Sequence, residues 1–140
     1  MCMVLYVASD KPLPLIAWDE NNPNFHVKEL HESSAGVRKQ FSKPYVYYLG
    51  SDQGCGCGFS YGQFVNDNDE LKSRESVSRL SKYLSQAVEI AGPLELYSCW
   101  SGDEEEPPEF KEVVTFEEIP GEIGGEAFAF QEREFIKITN

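Results

Sequence analysis

Two cysteines separated by one glycine, Cys55 and Cys57, are the residues whose type and spacing point most directly to chemistry. They lie in the stretch GSDQGCGCGF, in a chain with four cysteines in all. A Cys-x-Cys pair can give two thiolates to one tetrahedral zinc ion, which then needs further ligands from elsewhere in the fold. The other candidate ligands are two thiols and two imidazoles, those of Cys2, Cys99, His26 and His31. A site of four thiolates, from Cys2, Cys55, Cys57 and Cys99, is the metal hypothesis.

The same stretch supports two other interpretations. A redox pair needs a thiol pKa lowered by cations or a helix N-terminus, and the immediate neighbours include Asp52 but no Lys or Arg. Alternatively, the glycines permit a crowded turn or bulge at the start of a strand, with the cysteines as small buried side chains. The turn is the favoured interpretation of the stretch by itself.

Cys2 raises a separate hypothesis. Removal of Met1 would leave an N-terminal cysteine that can act as a nucleophile with its own amine as the base. The sequence Met-Cys before an apolar strand superficially resembles the N-terminal-nucleophile amidohydrolases, although 140 residues are few for the layered sandwich that this resemblance implies.

Other catalytic signatures do not stand out in the sequence. Carboxylates are paired at 19–20, 103–106 and 117–118, but such pairs are usually solvated. The glycines around Cys55 lack the lysine and the following helix that a phosphate-binding loop needs. The sequence therefore does not predict an enzyme.

The net charge of −12 is concentrated in one part of the chain. Residues 94–140 contain 13 acidic and 3 basic residues, whereas residues 1–93 contain 11 and 9. Such a surface repels nucleic acids and favours either solubility or a basic protein partner. The leading functional prediction is a small, non-enzymatic interaction module, of an inhibitor or immunity type, with metal binding as the alternative. Its candidate contacts are four aromatic residues and one acidic run: Trp18, Tyr45, Tyr47, Trp100, Asp103, Glu104, Glu105 and Glu106.

The distribution of apolar residues along the sequence predicts the cellular location of the protein. The sequence has no apolar run of 18 residues and no basic segment before its first apolar stretch, so we expect no membrane span and no secretion signal. A reducing cytosol is the expected location, where cysteines occur as thiols or metal ligands. Residues 1–140 are expected to form a single domain.

The pattern of apolar residues predicts an α+β fold. Residues 69–91 have the spacing of an amphipathic helix, which Gly92 and Pro93 end. Strands are expected over 3–8, 15–18, 25–30, 94–100, 111–114 and 128–138, the last as either one bent strand or two short ones. A hairpin is expected from YVYYLG and CGFSYG, joined by residues 51–54. Short helices are expected at 35–41, capped by Ser33 or Ser34, and at 115–118. The predicted architecture is a mostly antiparallel sheet packed against one long helix.

Three stretches resemble small bacterial proteins of uncharacterised families. They are KPYVYYLGSDQGCGCGF, ELYSCWSGDEEEPPE and FAFQEREFIKI, which are distributed between residues 43 and 138, so that the resemblance extends over most of the chain. The resemblance implies a compact domain, and it implies no activity, ligand or catalytic residue.

Overall fold

The fold is built from one sheet, one long helix and two short 3-10 helices. The computed structural model describes residues 2–59, 67–115, 130 and 132–139, with the backbone alone for 67–70. Its strands are β1 (Met3–Ser9), β2 (His26–Glu29), β3 (Tyr45–Gly50), β4 (Leu94–Trp100), β5 (Phe110–Thr115) and β6 (Glu134–Thr139). The helix α1 spans Asp67–Ala91, and the 3-10 helices span Glu32–Gln40 and Gly56–Gly58.

The six strands form one sheet in the order β2-β3-β1-β4-β6-β5. Four of the five neighbouring pairs are antiparallel, and β5 and β6 are parallel. The expected α+β class, with a mostly antiparallel sheet and one long helix, is thus confirmed. Because β3 runs antiparallel to β1, with Leu49 opposite Leu5, the end of β3 lies beside the start of β1.

The helix α1 covers one face of the sheet, which we call the helix face. Its buried side chains recur at helical spacing, as the sequence predicts, and meet apolar residues of β1, β2, β3, β4 and β6. The helix ends at Gly92, whose φ of +77° is one that glycine adopts without strain and whose N–H donates to the Val88 carbonyl at 2.8 Å. The helical members of this core are Val77, Leu80, Tyr83, Leu84, Ala87, Val88 and Ala91.

The opposite face, which we call the second face, has a smaller core. Its buried side chains are Val4, Tyr6, Ala8, Val37, Val46, Tyr97 and Cys99. The 3-10 helix Glu32–Gln40 covers part of it through Val37, which is fully buried. Polar groups are included here: the Glu95 carboxylate accepts hydrogen bonds from the Ser42 N–H and hydroxyl, both at 2.9 Å.

Several local expectations are corrected. Within 55–59 the chain forms a 3-10 turn instead of the returning strand of a hairpin. The segment 15–18 contributes only an isolated bridge, between Ile16 and Val27. The helix at 32–40 is a 3-10 helix capped by the His31 side chain, which accepts from the Ser33 N–H, so neither serine is the cap. The short helix expected at 115–118 lies largely outside the described residues.

No helix among the described residues combines the length and the apolar character that crossing a bilayer requires.

Candidate metal centre

Three of the four cysteines converge at one end of the sheet. The Sγ atoms of Cys2, Cys55 and Cys57 all lie within 4.8 Å of one another, so together they could hold a metal ion. Cys2 immediately precedes β1, and the other two lie in the turn that follows β3. The antiparallel pairing of β1 and β3 therefore brings together thiols that are more than fifty residues apart in the sequence.

Ser51 fixes the turn that carries the cysteine pair. Its side chain is fully buried, and its hydroxyl donates to the Cys55 carbonyl at 2.6 Å. The same oxygen accepts from the N–H groups of Gly58, at 3.0 Å, and Gln53, at 3.2 Å. The Ser51 N–H also donates to the Cys55 carbonyl, at 2.9 Å. One serine thus satisfies several backbone groups that a tight turn would otherwise leave unpaired.

Two glycines of this turn have backbone that lies against neighbouring atoms, so that a side chain would be crowded at Gly56 and would overlap at Gly58. A Cβ at Gly56 would lie 3.0 Å from the Met3 carbonyl oxygen, and one at Gly58 would overlap the Ser51 hydroxyl. The close approach also lets the Met3 N–H donate to the Cys57 sulfur at 3.2 Å. The glycine-permitted turn and the thiol cluster are therefore the same structure, since the glycines hold the cysteines against β1.

Burial determines the charge state of the Cys55 thiol. It raises the pKa of Cys55 to about 12, and the neighbouring Cys57 and Cys2 side chains add to the shift. A metal-free Cys55 is therefore a neutral thiol at physiological pH, which makes it a poor nucleophile. A bound cation reverses this preference because a coordinating thiol is deprotonated.

A cavity of about 340 Å³ adjoins the cluster on the second face. The Lys28 Nζ lies 4.7 Å from the centroid of the Tyr48 ring, at cation–π distance. The Tyr48 hydroxyl donates to the Gly54 carbonyl at 2.9 Å. Two of the three thiols and several polar groups line the cavity: Cys2, Cys55, Lys28, His31, Ser33, Ser34, Tyr48 and Ser101.

The remaining candidate ligands are not part of the three-thiol group, although His31 lines the same cavity. Cys99 is buried on β4 opposite Val4 and does not belong to the three-thiol group. His26 packs edge-on against Trp18, with ring centroids 4.7 Å apart. The Nδ1 atom of His31 accepts from the Ser33 N–H at 3.1 Å. Of the four thiols named from the sequence, the structure brings together three.

The aromatic contact candidates differ in exposure. Trp18 and Tyr45 are 40% and 41% exposed, and Trp100 is partly buried. Tyr47 is 8% exposed, and its hydroxyl accepts from the Leu13 N–H at 3.1 Å within the core of the helix face. Its ring is therefore not available to a partner in this structure.

The acidic run 103–106 packs against the 3-10 helix Glu32–Gln40. The Gln40 side chain donates to the carbonyls of Glu104, at 3.0 Å, and Glu106, at 2.7 Å. Lys39 forms a 2.6 Å ion pair with Glu105, and the Asp103 and Glu104 side chains are partly buried. Part of the charge expected to meet a partner is thus engaged within the protein.

Sequence reasoning missed the groups around the thiols, above all Lys28, Tyr48 and Ser51. One signal was present for Lys28, since alternation in FHVKEL puts it on the same side of the strand as His26 and Leu30. The sequence contained no corresponding signal that this side would face the cysteines, because that depends on strand order.

Comparisons of the chain with protein-family models, with curated proteins and with solved structures found no match. This outcome is consistent with the resemblance to a family whose function is uncharacterised.

Proposed function

We propose that the protein binds one thiophilic metal ion, zinc in the first instance, through the thiolates of Cys2, Cys55 and Cys57. The observation that carries this proposal is the mutual approach of the three sulfurs within 4.8 Å. In a tetrahedral site with Zn–S bonds of about 2.3 Å, the sulfurs lie about 3.8 Å apart. Small side-chain rotations would bring the cluster to that spacing.

The choice of a metal over thiol redox chemistry rests on the surroundings of the sulfurs. Reactive cysteines have a lowered pKa, whereas burial raises that of Cys55. Cysteine ligands select zinc, copper(I) and iron–sulfur clusters, and three thiolates without a fourth are compatible with a single ion. A reducing compartment such as the cytosol, where we place the protein as part of this proposal, would keep the thiols available.

Metal content is the first measurement. Untagged protein, purified without chelator, should contain about one equivalent of zinc by elemental mass spectrometry. Removal of the metal should make Cys2 and Cys57 accessible to thiol reagents in the folded protein, whereas Cys55, whose pKa is raised by burial, should react slowly. Cys57→Ser should lose the metal, whereas Cys99→Ala, the matched control outside the cluster, should retain it. Protein that is purified without metal and takes up neither zinc nor cobalt in a titration would overturn the proposal.

A second candidate function is the binding of a basic protein. The observations in its favour are the exposed rings of Trp18 and Tyr45 and the exposed carboxylates of Glu105 and Glu106. Acidic surfaces of this kind accelerate association with basic partners in a salt-dependent way. For a partner captured at low salt, replacing Asp103 through Glu106 with their amides should weaken binding, and unchanged binding would reject this role.

A further inference from the structure

We propose that the metal at Cys2, Cys55 and Cys57 takes its fourth ligand from outside the protein, as a small thiolate that carries a carboxylate group. This inference rests on the proposed metal site and adds the chemical class of the ligand. The cavity beside the cluster would hold the ligand, and Lys28 would bind its carboxylate.

A zinc ion with three protein ligands and tetrahedral geometry has one position left for a small molecule. Two of the three ligands, Cys2 and Cys55, line the cavity of about 340 Å³. An ion held between the sulfurs therefore borders this cavity, whose volume is at the lower end of the range for small-molecule sites.

The imidazole of His31 and the phenol of Tyr48 line the cavity, and both are already engaged in hydrogen bonds within the protein. His31 Nδ1 accepts the Ser33 N–H at 3.1 Å and thereby caps the 3-10 helix. A neutral imidazole that binds a metal through Nε2 carries its proton on Nδ1, which could then no longer accept this N–H. The Tyr48 hydroxyl is engaged with the Gly54 carbonyl, and Cys99 is not among the lining residues.

Zinc with three thiolates carries a net charge of −1, and a fourth thiolate makes it −2, which a nearby cation stabilises. Lys28 lines the cavity, and among the described residues its ammonium has a ring contact with Tyr48 but no ion pair with a carboxylate. The Lys28 side chain is exposed, so water solvates its charge in the free protein, and a carboxylate on the incoming molecule would replace part of that water.

The binding step is a ligand exchange without oxidation or reduction. The thiol S–H bond breaks and its proton goes to solvent, a sulfur–metal bond forms, and the bond between the metal and a water molecule breaks. The three cysteine thiolates remain bound throughout.

The test uses the full chain loaded with cobalt(II) under anaerobic conditions, because thiolate–cobalt charge-transfer absorption reports each added sulfur. Mercaptoacetate and the uncharged 2-mercaptoethanol are titrated separately, with retained cobalt measured after dialysis. We expect mercaptoacetate to increase the absorption and to bind at least about tenfold more tightly, a difference of about 1.4 kcal/mol. Lys28→Gln should abolish this preference while leaving the affinity for 2-mercaptoethanol unchanged.

Lys82→Gln is the matched control, because Lys82 lines a different cavity beside α1 on the helix face. It should keep the full preference. Equal affinities for the two thiols in the unmodified protein would overturn the inference, as would loss of cobalt to the added thiol.

One further variant separates this inference from the proposed function. His31→Asn keeps a side-chain acceptor for the 3-10 helix and removes the imidazole. If it changes the absorption of the cobalt protein before any thiol is added, His31 is the fourth ligand, and the inference fails while the metal site stands. Failure of the unmodified protein to bind cobalt at all would instead overturn the proposed function.

Discussion

The two faces of the sheet differ in chemistry. The helix face is a large apolar core that α1 forms with buried residues of five strands and with the partly buried Val114 of β5. The second face has a smaller core, a buried carboxylate at Glu95 and a cavity bordered by thiols, hydroxyls and one ammonium group. Burial of apolar surface contributes most to stability, so the helix face should supply most of the folding free energy.

This division explains how a thiol cluster can be tolerated. Polar groups and cavities weaken a core, yet here they lie on the face that contributes less to it. The turn 51–58 connects the two sides, since Cys55 lines the cavity of the second face while Phe59 belongs to the core of the helix face. The chain segment that carries the thiols is thus anchored in the core of the helix face, while the thiols themselves lie outside that core.

The largest expected effect is on the helix face. Leu84→Ala removes a fully buried side chain of α1 and should lower the free energy of unfolding by about 2–5 kcal/mol. Val37→Ala, a truncation on the second face, should cost about 1.5 kcal/mol from the two carbons removed. Urea unfolding measures both, and an equal or reversed order would contradict the unequal division of stability.

Next in size is the stabilisation by metal. At free zinc about 100 times the dissociation constant, the free energy of unfolding should rise by about 2.7 kcal/mol. Cys57→Ser should remove this increment. Cys99→Ala, on the same face, should lower the stability of the metal-free protein while keeping the increase caused by zinc. If Cys99→Ala also loses this increase, Cys99 is a ligand of the metal.

A smaller effect is expected at the contact between the turn and β1. Gly56→Ala places a methyl group 3.0 Å from the Met3 carbonyl oxygen, so the turn must shift by a few tenths of an ångström. We expect a loss of about 1 kcal/mol in stability and about tenfold in zinc affinity, measured by chelator competition. Gly54→Asn is the control, because the space around Gly54 is open and asparagine tolerates its positive φ. If Gly56→Ala binds zinc with unchanged affinity, the close approach does not position the thiols.

The smallest effect is a dependence on pH from the second face. Burial lowers the pKa of His26 below its ordinary 6.5, with the nearby Lys28 charge acting in the same direction. The unfolded chain therefore takes up this proton more readily, and the stability from neutral His26, full above about pH 6.5, is lost as the pH falls through the lowered pKa. Thermal unfolding between about pH 7.5 and about pH 5.5 should show a shallower slope for His26→Gln than for the unmodified protein. Parallel slopes would contradict the burial of a neutral imidazole.

Local patterns predicted most of the elements on the helix face. The apolar spacing from Val77 to Ala91 and the stop at Gly92 located α1, and the apolar runs at 3–8 and 94–100 located β1 and β4. These elements follow from periodicity and burial, which a sequence displays directly. The second face was harder to predict because its elements depend on individual hydrogen bonds. The Ser51 hydroxyl, for example, bonds to Cys55 and Gly58, where the chain forms the 3-10 helix Gly56–Gly58 instead of a strand.

The site was predictable in part for the same reason. The spacing of Cys55 and Cys57 identified the pair, but the choice between Cys2 and Cys99 as a companion depends on tertiary structure. Cys2 joins the pair because the turn after β3 reaches the start of β1, whereas Cys99 points into the core of the second face. A distance of this kind is fixed by strand order and register, which residue types alone do not encode.

The order of the last two strands has a consequence for how the molecule assembles. β6 lies between β4 and β5, although β5 precedes it in the chain. During synthesis on the ribosome, Phe110–Thr115 therefore emerges before the strand with which it pairs. Until Glu134–Thr139 has been made, the edge of β4 on that side is unpaired and β5 has no strand to pair with. The sheet can therefore be completed only as one of the last events of folding. A nascent chain stalled before residue 134 should thus expose the edge of β4 to chaperones or to other nascent chains.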